Sequence, residues 1–101
     1  MTVLSDADVV SFIREACGQF RIVRKAWFFG SRASGDSGPK SDFDFAFDLQ
    51  EANEVRWGEF STFLREKNPT LYSLDLIRLD KAKSELRQRI LTEGKLIYDK
   101  A

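Results

Sequence analysis

The chain has no histidine and a single cysteine among its 101 residues. Without histidine, zinc sites of the Cys/His kind, Ser-His-Asp triads and imidazole acid–base catalysis are all excluded. Any chemistry therefore falls to carboxylates, hydroxyls, cations and bound metal. The lone Cys17 cannot close an internal disulfide, and its place in the pattern Val9, Ile13, Ala16, Phe20 suits an inward helix face better than a reactive thiol. Net charge is also lacking, because 16 basic residues balance 16 acidic ones. That balance removes the overall positive field that drives non-specific nucleic-acid binding and disfavours a polynucleotide partner. No segment approaches the roughly 20 apolar residues needed to span a bilayer. Residues 1–8 carry no basic stretch followed by an apolar core, so no secretory signal is expected and the cytoplasm is the default location.

What is present is an ordinary globular balance, 43% apolar and 32% charged, in a length that holds one domain, residues 1–101, burying roughly two thirds of its unfolded surface. Ser5 reads as a helix N-cap with Asp8 three positions on, followed by Val9, Phe12, Ile13, Ala16 and Phe20 at helical spacing and a stop near Gly18. The apolar run Ala26, Trp27, Phe28, Phe29 reads as a buried strand halted by Gly30. Residues 30–41 are rich in Gly, Ser and Pro and predict a loop, or a short helical turn with a loop. From Asp42 to Asp48 the residues alternate, with Phe43, Phe45 and Phe47 on one face and Asp42, Asp44 and Asp48 on the other, which is a strand with an acidic face.

Trp57, Phe60, Phe63 and Leu64 then mark an amphipathic helix that Asn68-Pro69 ends. Residues 71–79 return to strand character and carry Asp75 between Leu74 and Leu76. Asp80 is placed to cap a last helix through Ala82, Leu86 and Ile90, with Gly94 as its stop and residues 96–98 as a final strand. This order of elements predicts one α/β layer sandwich. Arg14, Lys25, Arg56 and Arg65 read as solvated face charges, and Asp48 as a solvated acid at a strand end.

Asp42 and Asp44, two apart on a strand, project from the same face about 7 Å apart. They repel one another unless a cation sits between them, and oxygen-only ligands favour a hard ion such as Mg²⁺ or Mn²⁺. A bare Asp-x-Asp is also compatible with an exposed strand edge, and Gly30-Ser31 alone with a simple turn. Together they offer a turn whose amides and hydroxyl can meet phosphate oxygens, followed by a strand that can hold the accompanying metal. The segment Gly30-Ser-Arg-Ala-Ser-Gly35 invites comparison with a P-loop, but Asp36 stands where the lysine belongs, and a carboxylate there would repel phosphate. Nor do Gly30 and Gly35 make Gly-x-Gly-x-x-Gly, so a dinucleotide site is unsupported.

Gly30-Ser31, ten residues, then Asp42-Phe43-Asp44 resembles the pattern of the DNA polymerase beta-like nucleotidyltransferase superfamily. The stretches Phe28-Phe29-Gly30-Ser31-Arg32-Ala33-Ser34-Gly35 and Ser41-Asp42-Phe43-Asp44-Phe45 are similar to its minimal nucleotidyltransferase (MNT) group. The resemblance extends to Leu74-Asp75-Leu76, where that family carries a third carboxylate, and to the ending Ile90-Leu-Thr-Glu-Gly-Lys-Leu-Ile-Tyr98. It implies a small nucleotidyltransferase fold, a mixed β-sheet of about four strands packed with about three to four helices. MNT domains often carry a basic residue where this chain has Ser34, and Arg32 is the substitute at hand.

The resemblance also implies a role for each residue. Gly30, Ser31 and Arg32 would hold the phosphates of ATP, while Asp42, Asp44 and Asp75 would bind Mg²⁺ and serve catalysis, the metal clamping an in-line displacement. MNT proteins are antitoxins of HEPN-MNT toxin–antitoxin pairs, which implies AMP transfer to a tyrosine of a HEPN-type toxin and a hetero-oligomer with it. The chain is short for building an acceptor pocket of its own, which also points to a protein acceptor. Two other functions stand beside this one: an antitoxin that binds nucleotide without catalysis and neutralises its partner by contact, and a nucleotidyltransferase for a small antibiotic, which would need a further substrate domain. Nine Phe and two Trp are a heavy aromatic load, and either some mark a protein interface or all pack inside.

Overall fold

A computed structural model describes residues 5–35, 42–51 and 53–100. Residues 36–41, which include Asp36 and most of the predicted loop, and residues 1–4 of the N-terminus lie outside that description. Helix α1, Asp6–Phe20, starts from a reciprocal cap in which the Ser5 hydroxyl accepts from the Asp8 amide and the Asp8 carboxylate accepts from the Ser5 amide. Each satisfies a donor that the first helical turn would otherwise leave open. The helix runs two residues past Gly18 and closes on Arg21 in the left-handed region at φ 58°.

Strand β1, Val23–Phe29, leads into the short helix α2, Gly30–Ser34. Strand β2 is Phe43–Leu49, helix α3 is Glu54–Glu66, and strand β3 is Leu74–Arg78. A 3₁₀ turn at Leu79–Lys81, helix α4 at Ser84–Glu93 and strand β4 at Lys95–Asp99 complete the order. The four strands form one mixed sheet in the order β3-β2-β1-β4, with β2 parallel to β3 and antiparallel to β1. Among the described residues, four α-helices and a four-stranded mixed sheet agree with the small α/β fold that the pattern implies.

The alternation in β2 decides how the layers assemble. Phe43, Phe45 and Phe47 are wholly or almost wholly buried on one face, with Val9 and Ile13 of α1 and Phe60 and Leu64 of α3. Burying each such ring contributes about 1.5–3 kcal/mol, and the rings meet in offset or edge contacts, Phe45 on Phe28 at 5.1 Å and Phe47 on Phe60 at 5.2 Å. Ala46 points to the opposite face, under Leu79 and Ile90 beside Trp27. Thus α1 and α3 cover the phenylalanine face, whereas α4 covers part of the acidic one. Every Phe and Trp belongs to one of these two clusters, and the large apolar side chains exposed among the described residues, Val55, Leu71, Leu91 and Leu96, include no aromatic ring. The aromatic load therefore sits inside. Cys17 is fully buried in the first cluster, and desolvation pushes its thiol up to about 12.

Two expectations from the sequence are corrected. The third strand begins at Leu74 rather than residue 71, because Asn68 and Thr70 bind the backbone of residues 70–72 in a local turn that leaves Leu71 97% exposed. Asp80 does not cap the last helix, whose N-cap is Lys83 without a side-chain bond. Its carboxylate instead accepts from the buried Arg78 guanidinium at 3.1 and 2.8 Å, with Glu54 taking the third bond at 2.7 Å. A buried cation demands partners more strongly than a helix end does. Asp48 is also paired, with Arg24 at 3.0 Å, and Arg14 and Arg56 donate to the carbonyls of Ile97 and Phe20. Among the described residues no helix is long and apolar enough to cross a membrane.

Truncating the central ring, Phe45→Ala, is expected to lower the unfolding free energy by about 3–5 kcal/mol, while Leu71→Ala changes it by less than about 0.5 kcal/mol. Urea denaturation of both variants checks this; a comparable loss at Leu71 would mean that the strand does extend to residue 71.

Candidate functional site

The site is built where β1 ends. Phe29 pairs with Asp44 across β1 and β2, and Asp44 pairs with Asp75 across β2 and β3. Gly30, one step beyond Phe29, turns the chain at φ 83° into α2, a backbone region that side chains other than hydrogen rarely adopt. A Cβ placed on Gly30 would run into the carboxylate oxygen Oδ2 of Asp44. Gly30 just past the end of β1, Asp44 on β2 and Asp75 on β3 thus form a row across the sheet. Asp42, exposed and immediately ahead of β2, falls on the same side as Asp44 by strand alternation.

Electrostatics follow from this register. The Asp44 carboxyl is pushed up to about 6, first by burial, then by its hydrogen bond with Asp75, the Asp75 charge and the Asp42 charge. A parallel register that sets two acids opposite each other, with a third two residues away, makes a cation the natural partner of the cluster. The donor set is oxygen only, which fits a hard divalent ion. Among the described residues, however, no three carboxylates stand close enough together to enclose a metal ready-made. Asp44 and Asp75 meet directly, while Asp42 acts on Asp44 through its charge.

Next to this row lies an open cleft of about 600 Å³, walled on one side by Gly30, Ser31 and Ser34 and on the other by Leu86, Arg89 and Glu93. The carboxylates are beside the cleft rather than among its walls, and Gly30 touches both. Ser31 is exposed at the start of α2, and its carbonyl accepts from the Ser34 hydroxyl at 3.0 Å. Of the three residues expected to hold phosphate, Gly30 and Ser31 line the cleft. Arg32 is directed elsewhere: its guanidinium is 2.8 Å from Asp6, 4.2 Å above the Phe43 ring and 5.0 Å from the Tyr72 ring, with its side chain 11% exposed. Since Phe43 and Asp44 point to opposite faces, Arg32 belongs to the side covered by α1 and α3, where it ties α2 to α1 and to the start of β2.

Leu86, Arg89 and Glu93 had no part in the sequence reading of the site. Their spacing of three and four puts them on one helical stripe, but the stripe becomes a cleft wall only once α4 packs across the end of β1.

The two positive-φ glycines separate strain from contact. Gly35 also sits at φ 83°, yet a Cβ there meets nothing within 4 Å. Gly35→Ala is expected to cost about 1–2 kcal/mol of stability from the left-handed backbone alone, with nucleotide binding retained. Gly30→Ala adds the collision with Asp44 and is expected to lose more stability and nucleotide binding together. Urea melts and calorimetric titration of both variants test this; equal behaviour would mean that the Gly30–Asp44 approach is unimportant.

Residues 11–101 match the family model described as Polymerase beta, Nucleotidyltransferase. No protein of curated function matches the chain. In fold it resembles a chain of a toxin–antitoxin crystal structure with AMP-PNP, at TM-score 0.72 and 22% identity, over 89% of this chain and 73% of that one. It also resembles a chain of the toxin–antitoxin MntA-HepT, at TM-score 0.65 and 20% identity over 89% and 69%. A third likeness is to a chain of a tri-AMPylated Shewanella oneidensis HEPN toxin in complex with an MNT antitoxin, at TM-score 0.59 and 18% identity over 89% and 72%. These likenesses speak for the fold, while the family match spans nearly the whole chain and includes Gly30, Ser31 and all three carboxylates. The chain belongs to the polymerase beta nucleotidyltransferase family.

Proposed function

We propose that this nucleotidyltransferase moves AMP from ATP to a tyrosine of a HEPN-type toxin and acts as that toxin's antitoxin, in a cytoplasmic hetero-oligomer. The observation that carries the proposal is the row of Gly30, Asp44 and Asp75 beside a cleft of nucleotide size, with Asp42 at its edge. Similar folds occur in a toxin–antitoxin structure with AMP-PNP and in a complex of a tri-AMPylated HEPN toxin, which supports both the donor and the acceptor.

Asp42, Asp44 and Asp75 would hold Mg²⁺, which when bound neutralises phosphate charge and aligns the displacement. Gly30, lacking a side chain, lets a phosphate come close to Asp44. Ser31 offers a hydroxyl donor to a phosphate oxygen from the cleft wall. Asp44, held between Gly30 and Asp75, would face the phosphate as a carboxylate, and Asp75, exposed at the sheet edge, is placed to receive the acceptor's proton. The tyrosine oxygen forms a bond to the α-phosphorus, the bond from that phosphorus to the bridging oxygen breaks, and pyrophosphate leaves with the electron pair. No imidazole is needed, in keeping with the absence of histidine.

The test is to incubate the chain with a HEPN-type toxin, ATP and Mg²⁺ and to weigh both proteins by intact mass spectrometry. Addition of AMP units to the toxin, abolished by Asp44→Asn, is the expected result. A stable complex with no gain in mass would overturn transfer and favour neutralisation by contact.

A further inference from the structure

We propose that Arg89 is the residue that binds the terminal phosphates of the nucleotide, an inference that rests on the nucleotide-transfer reading and assigns part of its specificity. Helix α4 covers the sheet face that carries Asp44, because Ile90 and Leu86 pack with Trp27, Phe29 and Ala46 on that face. This places Arg89 on the wall of the cleft that faces Ser31 and Ser34. It is the only cationic side chain among the described residues lining that cleft. Arg32, the cation nearest Ser31 in sequence, is engaged with Asp6, Phe43 and Tyr72 on the opposite side of the sheet.

The other arginine of α4 has a structural task. Arg87 donates to the carbonyls of Leu79, Asp80 and Ala82 and so fastens the 3₁₀ turn to the helix. Among the described residues Arg89 pairs with Glu93 one turn on, at 3.7 Å, with the two side chains 75% and 70% exposed. An exposed pair at that distance holds weakly. A triphosphate entering between the two walls brings a denser negative charge than one carboxylate, and a guanidinium can give two parallel hydrogen bonds to phosphate oxygens. Glu93 is then both the resting partner of Arg89 and its competitor, since its carboxylate repels the same phosphates. Ser31 on the facing wall would meet the β- and γ-phosphates, so Arg89 opposite it distinguishes ATP from AMP.

The experiment is calorimetric titration of the full chain with ATP and with AMP, each in Mg²⁺, comparing wild type with Arg89→Ala and Glu93→Gln. Arg89→Ala is expected to weaken ATP binding about tenfold and leave AMP binding unchanged, whereas Glu93→Gln tightens ATP binding. Both substitutions are at exposed positions, so unchanged melting temperatures confirm intact folds. Wild-type affinity for ATP in Arg89→Ala, or equal losses for ATP and AMP, overturns the assignment while leaving the nucleotide reading in place. Failure of the wild type to bind ATP overturns the nucleotide reading itself and this assignment with it.

Discussion

Asp44 and Asp75 stand opposite each other because β2 and β3 run parallel in one fixed register. Side chains at paired positions of neighbouring strands share a face, so the two carboxylates cannot avoid each other without breaking the ladder. The partial burial of Asp44, then its hydrogen bond with Asp75 and the repulsion from the Asp75 and Asp42 charges, raises its pKa to about 6. Like charges facing across a ladder are destabilising, and a stable fold keeps them only if something else holds the strands.

That support comes from the other face of the same strand. Phe43, Phe45 and Phe47 are fixed under α1 and α3, and a slip of one residue would turn all three rings to the acidic side. The register is thus dictated by apolar burial, and the electrostatic cost on the opposite face follows from it. Arg32 reinforces the same corner, joining Asp6 of α1 to the Phe43 ring next to the start of β2. Far from the site, buried Arg78 joins β3 to Glu54 at the start of α3 and to Asp80 after the strand. These contacts tie the two strands that carry Asp44 and Asp75 to the helices around them.

Much of this was legible in the sequence because it depends on local period and local conformation. The Ser5–Asp8 cap, the alternation from Asp42 to Asp48, the helix stop near Pro69 and the Gly94 stop each follow from a few adjacent residues. The acidic face and its relation to Gly30-Ser31 were legible for the same reason, helped by a motif whose spacing is specific. The rest depends on which of several competing partners each polar group takes. Nothing local shows that Arg78 will be buried and draw Asp80 away from the helix end, whereas the Asn68 and Thr70 turn that delays β3 is local and was outweighed by the apolar run after it. Arg32 was expected at the phosphates as a substitute for a basic residue at the Ser34 position, but its guanidinium lies against Asp6, Phe43 and Tyr72, contacts that only the packing of α2 on α1 and β2 creates. Arg89 lies in a stretch whose periodicity reports an apolar stripe and not the surface that the stripe will meet.

The claim that the carboxylate cluster is a strained site relieved by a bound cation can be tested through the pH dependence of stability. Asp44 holds its proton more tightly in the folded chain, at about 6, than at its ordinary value of 3.8. Its favourable contribution is therefore complete below about pH 4 and is lost as the pH rises through 6. Melting curves of wild type and Asp44→Asn from pH 4 to pH 7, in chelator and again with Mg²⁺ and ATP, measure it directly. In chelator the wild type is expected to lose stability relative to the variant as the pH rises, by about 1 kcal/mol once solvent screening is allowed for. At pH 7, Mg²⁺ with ATP should raise the melting temperature of the wild type and leave that of the variant unmoved. Parallel profiles in chelator, with equal shifts on adding Mg²⁺ and ATP, would contradict the claim.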